Sequence, residues 1–414
     1  AGDYYFTAAT DAHNAVNNIL AAKGYTVENT DGRMTADGDV ALTYKWTNAA
    51  LDSTTYATSE TGTAITNLFD EADPNKSSSE PGEVTWLSRS NWVATFPTQP
   101  VVLNATQTLA DHLAFTRYDG SKADSVEMPT LGADNGLALV SMIGADYDDP
   151  QWDTLLDQLT FNEMVNTITL GFHNTAAVES IGKTRTKDEN GPQGLTAALT
   201  GGASAMCYTS EDVMAATFNV DLINDVGRCI GEDCLAMGYS GLYGPGINMH
   251  RTAYSGRNFE YYASDPFVAG TICAAEVNGI QSKGVYVYLK HVALNDSESS
   301  RRGVNTWLNE QAAREIYLEV ADKAITDGGA WSVMTGFNRW GATWCGANAN
   351  LLTGFLRGEL GMRGMCITDF SGSSQYMDLV DGLIAGSDIW DSPMPKIHTT
   401  KAANYENDAY IVTQ

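Results

Sequence analysis

The sequence has little positive charge and no long apolar run. Lys and Arg total 24 against 51 Asp and Glu, giving a formal charge of −27. Such an acidic surface repels phosphate backbones, which argues against a nucleic-acid partner. No run of about 18 apolar residues occurs, so the sequence predicts no membrane span. The opening AGDYYFTAAT has neither a signal peptide's features nor an initiator Met, and we expect residues preceding Ala1 to have been removed or to lie on another chain.

Cysteine is also scarce. The chain has six, all in its second half and without a CxxC pair: Cys207, Cys229, Cys234, Cys273, Cys345 and Cys366. This number and scatter suit neither a disulfide framework nor a zinc site. We therefore expect free, mostly buried thiols and no bound metal, and the redox compartment stays open.

The first 125 residues are polar and rich in Thr, Ser, Asn and Asp. Alternating apolar and polar residues and β-branched residues predict three short strands. An N-cap residue and a following glycine predict one helix between them. The ranges are strands Asp3–Ala9, Val40–Trp46 and Val84–Ser88, helix Asp11–Lys23, and loop Asp70–Pro81. This region is too small and too polar to be an independent enzyme.

From about residue 150, short apolar runs alternate with helical patterns. The strand candidates are Gly241–Met249, Gly284–Lys290, Trp331–Phe337 and Met365–Asp369. The helix candidates are Trp152–Leu170, with a capping box from Thr160 to Glu163 inside it, Ser210–Ala236, Pro266–Lys283, Leu308–Ala324, Ala349–Leu360 and Gln375–Ala385. This alternation predicts a parallel sheet, and its extent of about 250 residues favours a closed (β/α)8 barrel of the TIM type.

Polar residues cluster where the predicted strands end. Lys290 and His291 close one run, and Asp369 closes another. The carboxyl ends of barrel strands converge on one mouth, where a carboxylate kept ionised by cations can attack an anomeric carbon. By spacing alone, Asp369 also fits a helix cap, and Lys290 also fits a solvated charge.

Six segments, in order and over about residues 150–395, resemble glycoside hydrolase family 3, the β-glucosidase family. The segments are LLDQLTFNEM (155–164), YGPGINMHRTAYSGRNFEYYASDP (243–266), KHVALNDSE (290–298), AAREIYLEVADKAI (312–325), SVMTGFN (332–338) and LLTGFLRGELGMRGMCITDF (351–370). The resemblance implies that Asp369 is the nucleophile of a retaining glycosidase. It also implies that Arg257, Lys290 and His291 hold the hydroxyls of the sugar in the glycone site, the subsite for the terminal sugar, and that Met334 lines this pocket.

Three positions differ from what the family usually has. Phe370 follows the nucleophile where Trp is frequent, and Phe337 stands where Tyr is usual, so a hydroxyl that would touch the nucleophile is missing. Asn190 stands where an Asp usually binds the far hydroxyls of the sugar; it can still donate and accept, but it carries no charge. Asp188 or Glu189 could substitute for that Asp.

The family's acid/base glutamate lies on a separate α/β-sandwich domain. Two segments of this chain, at 2–24 and 84–97, resemble the junction in members whose sandwich and fibronectin-III-like module precede the barrel. We therefore expect residues 1–25 to be the tail of the fibronectin-like module, 26–125 a linker wrapping the barrel, and 126–414 the catalytic barrel. The acid/base is then expected outside this chain; if it lies inside, Glu189 and Glu298 are the first candidates.

These features together predict a retaining, exo-acting β-glucosidase that acts on short β-linked glucosides and needs no cofactor. A β-xylosidase and a carbohydrate-binding or incomplete barrel subunit that requires a partner domain stay open as alternatives. An N-acetylhexosaminidase is disfavoured because KHVALNDSE lacks that type's Gly-rich loop. The expected partners are the sugar substrate and a sandwich domain, upstream or on another chain. Self-association stays open, and we expect a bacterial-type, extracellular or cell-associated protein rather than a cytoplasmic one.

Overall fold

The computed structural model describes residues 2–50, 52–79, 82–87, 98–99, 102, 104–114, 118–372 and 374–414. The chain forms two compact units, Ala1–Ser59 and Glu60–Gln414. This boundary falls within the predicted linker, and the predicted limits at residues 25 and 125 stay predictions.

The first unit is a two-stranded antiparallel sheet with one helix. Strand β1 (Gly2–Thr7) pairs with β2 (Thr43–Asn48). The helix Ala12–Ala22 begins where the Asp11 carboxylate accepts the Asn14 N–H, which confirms the predicted helix and its cap. The predicted strand Val40–Trp46 is wrong at its start: Val40–Leu42 is a 3₁₀ turn, because Asp39 accepts the Ala41 N–H there.

The predicted strand Val84–Ser88 is wrong over Val84–Leu87, which is irregular, and Ser88 lies outside the described residues. The Asn75 side chain satisfies both backbone polar groups of Val84, accepting from its N–H at 2.7 Å and donating to its carbonyl at 2.9 Å. A side chain therefore takes the place of the neighbouring strand that the alternation predicted.

A five-stranded parallel sheet forms the centre of the second unit, in the order β10-β7-β5-β4-β3. Its strands are β3 (Asp188–Asn190), β4 (Gly241–Gly246), β5 (Tyr286–Val292), β7 (Ser332–Thr335) and β10 (Cys366–Thr368). A smaller sheet contains β6 (Asn305–Thr306), β8 (Arg339–Trp340) and β9 (Thr343–Trp344). The four strands predicted in this half are confirmed with ends shifted by at most three residues, and β3 was missed because it is short and acidic.

Backbone hydrogen bonds continue the sheet into a ring. Ile389 bridges Ile367 of β10 in parallel, and the Trp390 N–H donates to the Ile168 carbonyl at 2.8 Å. At the other edge, the Asp188 N–H donates to the His173 carbonyl at 3.0 Å. Residues 168–173 therefore connect the two edges of the sheet, and its strand ends face one mouth.

Helices surround the ring. The α-helices are Gln107–His112, Gln151–Leu156, Phe161–Thr169, Glu211–Ala216, Val220–Met237, Pro266–Gln281, Glu310–Ala312, Glu319–Thr326, Leu379–Ala385, Pro395–Ala402 and Ala409–Thr413. Two further segments are π-helical, Ala313–Leu318 and Asn350–Glu359. Two long predicted helices are each divided. One restarts at Thr160, whose capping box with Glu163 is confirmed, and the other breaks at Phe218, where φ is +51°.

The core lies between the sheet and these helices. Val287, Leu289 and Val333 of the strands and Ile272 and Val277 of a helix are almost wholly buried. All six cysteines are free; Cys207 and Cys229 are exposed and the other four are buried, as predicted. Among the described residues, no helix is long and apolar enough to cross a membrane, and no cluster of His, Cys, Asp and Glu could hold a metal ion.

Candidate active site

The ends of the strands bring the predicted residues to one mouth. Lys290 and His291 are near the end of β5, Met334 is in β7, Asn190 ends β3, and Asp369 directly follows β10. Residues from four strands therefore converge because those strands run in the same direction.

Asp369 is a buried carboxylate with one oxygen left for chemistry. Its Oδ1 accepts the Phe370 N–H at 2.8 Å, whereas Oδ2 has no hydrogen-bond partner among the described residues. Burial raises the pKa of Asp369, while the charges of Arg257, Arg301 and Lys290 and the Phe370 N–H oppose that rise. A partly desolvated carboxylate among cations is suited to nucleophilic attack.

His291 lies beside this carboxylate as a neutral imidazole. Its Nε2 is 3.4 Å from Asp369 Oδ2 and 3.2 Å from Arg257 Nη2. Burial, followed by the charges of Arg257 and Lys290, holds the pKa of His291 well below its usual range. The contact with Asp369 is therefore not an ion pair. The Asn248 side chain fixes the backbone that carries this ring by accepting the His291 N–H at 2.9 Å.

Glu260 joins two of the predicted sugar-binding cations. Arg257 Nε donates to Glu260 Oε1 in a short contact, and Lys290 Nζ lies 3.6 Å from Glu260 Oε2. Burial alone would raise the pKa of Glu260, but the charges of Lys290 and Arg257 outweigh it and lower the pKa below its ordinary value. Sequence reasoning missed Glu260, although its i,i+3 spacing from Arg257 was a usable signal.

Asn190, Lys290 and Glu260 line one cavity of about 390 Å³. This cavity is large enough for a single sugar ring, and its mostly apolar wall carries a few polar side chains. The two acidic residues that precede Asn190 in the sequence are already paired with other side chains. Asp188 accepts the hydroxyl protons of two tyrosines, and Glu189 lies 2.9 Å from His173 Nδ1 and accepts from a threonine hydroxyl.

The three remaining predicted residues pack around the mouth. Met334 is buried among side chains of the ring interior. The Phe337 ring is buried beneath the Arg301 guanidinium, which lies 4.7 Å from its centroid. Phe370 is half-buried and meets the Phe172 ring edge-on with 6.1 Å between centroids.

Glu298 is close to the site, but its carboxylate is paired with two arginines. Its Oε2 is 3.0 Å from Arg301 Nη1, and its Oε1 is 3.7 Å from Arg257 Nη1. Glu189, the other candidate for an internal acid, has a fully buried side chain. Neither carboxyl is both free and exposed at the mouth.

The family model described as "Glycosyl hydrolase family 3 N terminal domain" matches residues 172–389. This match covers more than half of the chain, and the chain belongs to glycosyl hydrolase family 3. The matched residues include most of the ring and all the predicted site residues, so the predicted family is confirmed.

Several proteins and solved structures that this chain resembles are named β-glucosidases. The chain is 33% identical over 240 residues to a β-glucosidase of Rhizobium radiobacter, covering 57% of this chain and 29% of that protein. It is 33% identical over 253 residues to thermostable β-glucosidase B of Acetivibrio thermocellus, covering 59% of this chain and 33% of that protein. Among solved structures, β-glucosidase 3B of Thermotoga neapolitana in complex with α-D-glucose has a TM-score of 0.56 at 28% identity, covering 63% of this chain and 41% of that chain.

The chain thus spans about a third of the length of these curated relatives. The shared fold confirms the predicted TIM-type barrel class.

Proposed function

We propose that this chain is the catalytic barrel of a retaining β-glycosidase of the β-glucosidase type. The observation that carries the proposal is the free Oδ2 of Asp369 beside neutral His291 and the Arg257–Glu260–Lys290 cluster. Relatives named β-glucosidase and a related structure that contains glucose support this choice of substrate.

In the proposed mechanism, Asp369 Oδ2 attacks the anomeric carbon as the bond to the leaving oxygen breaks. The resulting glycosyl ester is hydrolysed by water at the same carbon, so two inversions give net retention. Arg257 and Lys290 donate charge-assisted hydrogen bonds to sugar hydroxyls, and Glu260 holds both cations in place. A neutral His291 accepts from Arg257 Nη2 at its Nε2 and adds no positive charge that would pair with the nucleophile.

We further propose that the acid/base glutamate comes from an α/β-sandwich domain outside this sequence. The pairing of Glu298 with two arginines and the burial of Glu189 support this, since a general acid must reach the leaving oxygen. On this proposal, residues 1–25 and 26–125 are the module tail and the linker. A barrel subunit that binds sugar but turns over only with its partner is the second candidate, favoured by the same observation.

The test is covalent trapping with a 2-deoxy-2-fluoro-β-glucoside that carries a good leaving group. We expect one added sugar mass on the peptide containing Asp369, because a good leaving group needs little acid assistance. The variant Asp369→Asn should not be labelled, whereas Asp225→Asn, at an exposed surface ion pair, should label like the wild type. Labelling at another carboxylate would overturn the assignment. A xyloside analogue that traps faster would favour the β-xylosidase alternative.

A further inference from the structure

Two fully buried glutamates lie beneath the glycone site and have no role in the proposed mechanism. Glu211 is the first residue of the helix Glu211–Ala216, and Glu276 lies in the helix Pro266–Gln281. Both are 0% exposed. Burying a carboxylate without a compensating partner is costly, and the charge of Glu276 acts on Glu211, so the two groups call for a specific arrangement.

Glu211 supports the backbone under the site. Its Oε1 accepts the Gly246 N–H at 3.2 Å, and Gly246 is paired in register with Lys290. A Cβ placed on Gly246 would meet the Glu260 carbonyl oxygen at 1.8 Å and Glu211 Oε2 at 3.0 Å. The Glu211 carboxyl therefore packs directly against the point where the end of β4 meets the backbone of Glu260.

Glu276 holds the same segment from the neighbouring helix. Its Oε2 accepts the Tyr262 hydroxyl proton at 2.7 Å, and Tyr262 is two residues beyond Glu260. The segment 257–262, which carries Arg257 and Glu260, is thus held by Glu276 at Tyr262, while Glu211 holds Gly246, against which the Glu260 carbonyl packs.

One oxygen of each carboxyl is buried without a hydrogen-bond partner among the described residues: Glu211 Oε2 and Glu276 Oε1. The titratable and charged groups around the pair are Glu260, Lys290, Tyr262 and Cys273. Burial raises the pKa of Glu276 to about 7, and burial together with the charge of Glu276 raises the pKa of Glu211 well above its ordinary value. Two carboxylates in one dry site cannot both ionise.

We propose that Glu211 and Glu276 share one proton between these two unpartnered oxygens, and that the hydrogen-bonded pair positions the segment 257–262 beneath the glycone cavity. The proton satisfies both orphan oxygens and leaves the pair with a single negative charge. Both glutamates act as positioning residues through Arg257 and Glu260. The consequence for sugar binding rests on the proposed function, but the shared proton does not.

The shared proton is tested by the pH dependence of unfolding. The folded pair keeps a proton at pH values where unfolded glutamates have lost theirs, so this group contributes stability that is lost as pH rises from about 4.5 through its folded pKa. The variant Glu276→Gln keeps a hydrogen-bond donor for Glu211 and an acceptor for Tyr262 but removes the titration. We expect the unfolding free energy of this variant to fall less steeply with rising pH, with the slope changed by the equivalent of about one bound proton. Exposed Glu315→Gln is the matched control and should follow the wild type. A Glu276→Gln slope equal to the control's would overturn the shared proton.

The positioning role is tested by calorimetric binding of glucose at pH 6. We expect Glu276→Ala to weaken binding by about tenfold, as for one lost buried anchor, and Glu276→Gln to restore most of the affinity. Wild-type affinity in folded Glu276→Ala would overturn the positioning role. Absence of glucose binding even in the wild type would count against the positioning role and the proposed function together, while the stability slope would still decide the shared proton.

Discussion

Replacing Glu260 with Gln should destabilise the fold more than any surface charge change. Its carboxylate is the counter-charge for Arg257 and Lys290, whose side chains are only 17% and 6% exposed. Removing one partner of a buried ion pair leaves an uncompensated charge and typically costs about 3–5 kcal/mol. Gln fills the same volume, so a loss of this size would come from charge rather than from a cavity. We therefore expect Glu260→Gln to lower the free energy of unfolding by about 3–5 kcal/mol.

The assay is urea denaturation followed by circular dichroism at neutral pH. The matched control is Glu232→Gln, which breaks an ion pair with Lys283 at 2.6 Å in which the Glu232 side chain is 61% exposed. Water screens an exposed ion pair, which therefore contributes little to stability, so the control should be close to the wild type. If Glu260→Gln loses no more than the control, the cations are solvated or paired otherwise and Glu260 does not organise them. A large loss with unchanged glucose binding would instead make the cluster purely structural.

The remaining predictions concern the nucleophile, the sugar contacts, protonation and the leaving group. Asp369→Asn should retain the fold and lose several orders of magnitude in turnover of an aryl β-glucoside, beyond the roughly 10²–10³ of one lost electrostatic contact. Lys290→Ala should lower both kcat and sugar affinity, whereas Lys283→Ala should change neither. His291 stays neutral in the fold but protonates when unfolded, so stability should fall as pH drops below about 6.5, and His291→Gln should lessen that fall relative to exposed His13→Gln in denaturation series. The chain alone should cleave a nitrophenyl glucoside much faster than cellobiose, by about 10²–10⁴, and equal product release from both would place the acid inside this chain.

The convergence at the mouth could be predicted because it depends on local patterns. Lys290, His291 and Asp369 each end an apolar run, and parallel strands bring such ends together whatever the loops do. The observed 3.4 Å between His291 and Asp369 agrees with that reasoning. Their catalytic roles stay predictions, since position at a strand end does not itself demonstrate chemistry.

The acids beneath the mouth could not be predicted in the same way. Glu211 and Glu276 are each in a helix, where a glutamate normally indicates the solvated face. They become buried because the helices that carry them pack against segment 257–262, and that depends on contacts between residues distant in the sequence. The division of one predicted helix at Phe218 and the irregular backbone at Val84 have a local origin instead: a single dihedral or side chain outweighs a periodic pattern.

Burial and charge at the mouth support the proposal that Asp369, and none of the neighbouring carboxylates, is the nucleophile. Glu260 and Glu298 form ion pairs with arginines, so their negative charges are already compensated. Asp369 Oδ2 receives the fields of Arg257 and Lys290 without a direct hydrogen bond to either, and the neighbouring His291 is uncharged. A carboxylate oxygen that accepts no hydrogen bond retains its lone pairs for an anomeric carbon. A general acid needs the opposite setting, a desolvated carboxyl far from cations. The cations that favour Asp369 as the nucleophile disfavour any carboxyl beside them as the proton donor, which is the physical reason for seeking that donor on another domain.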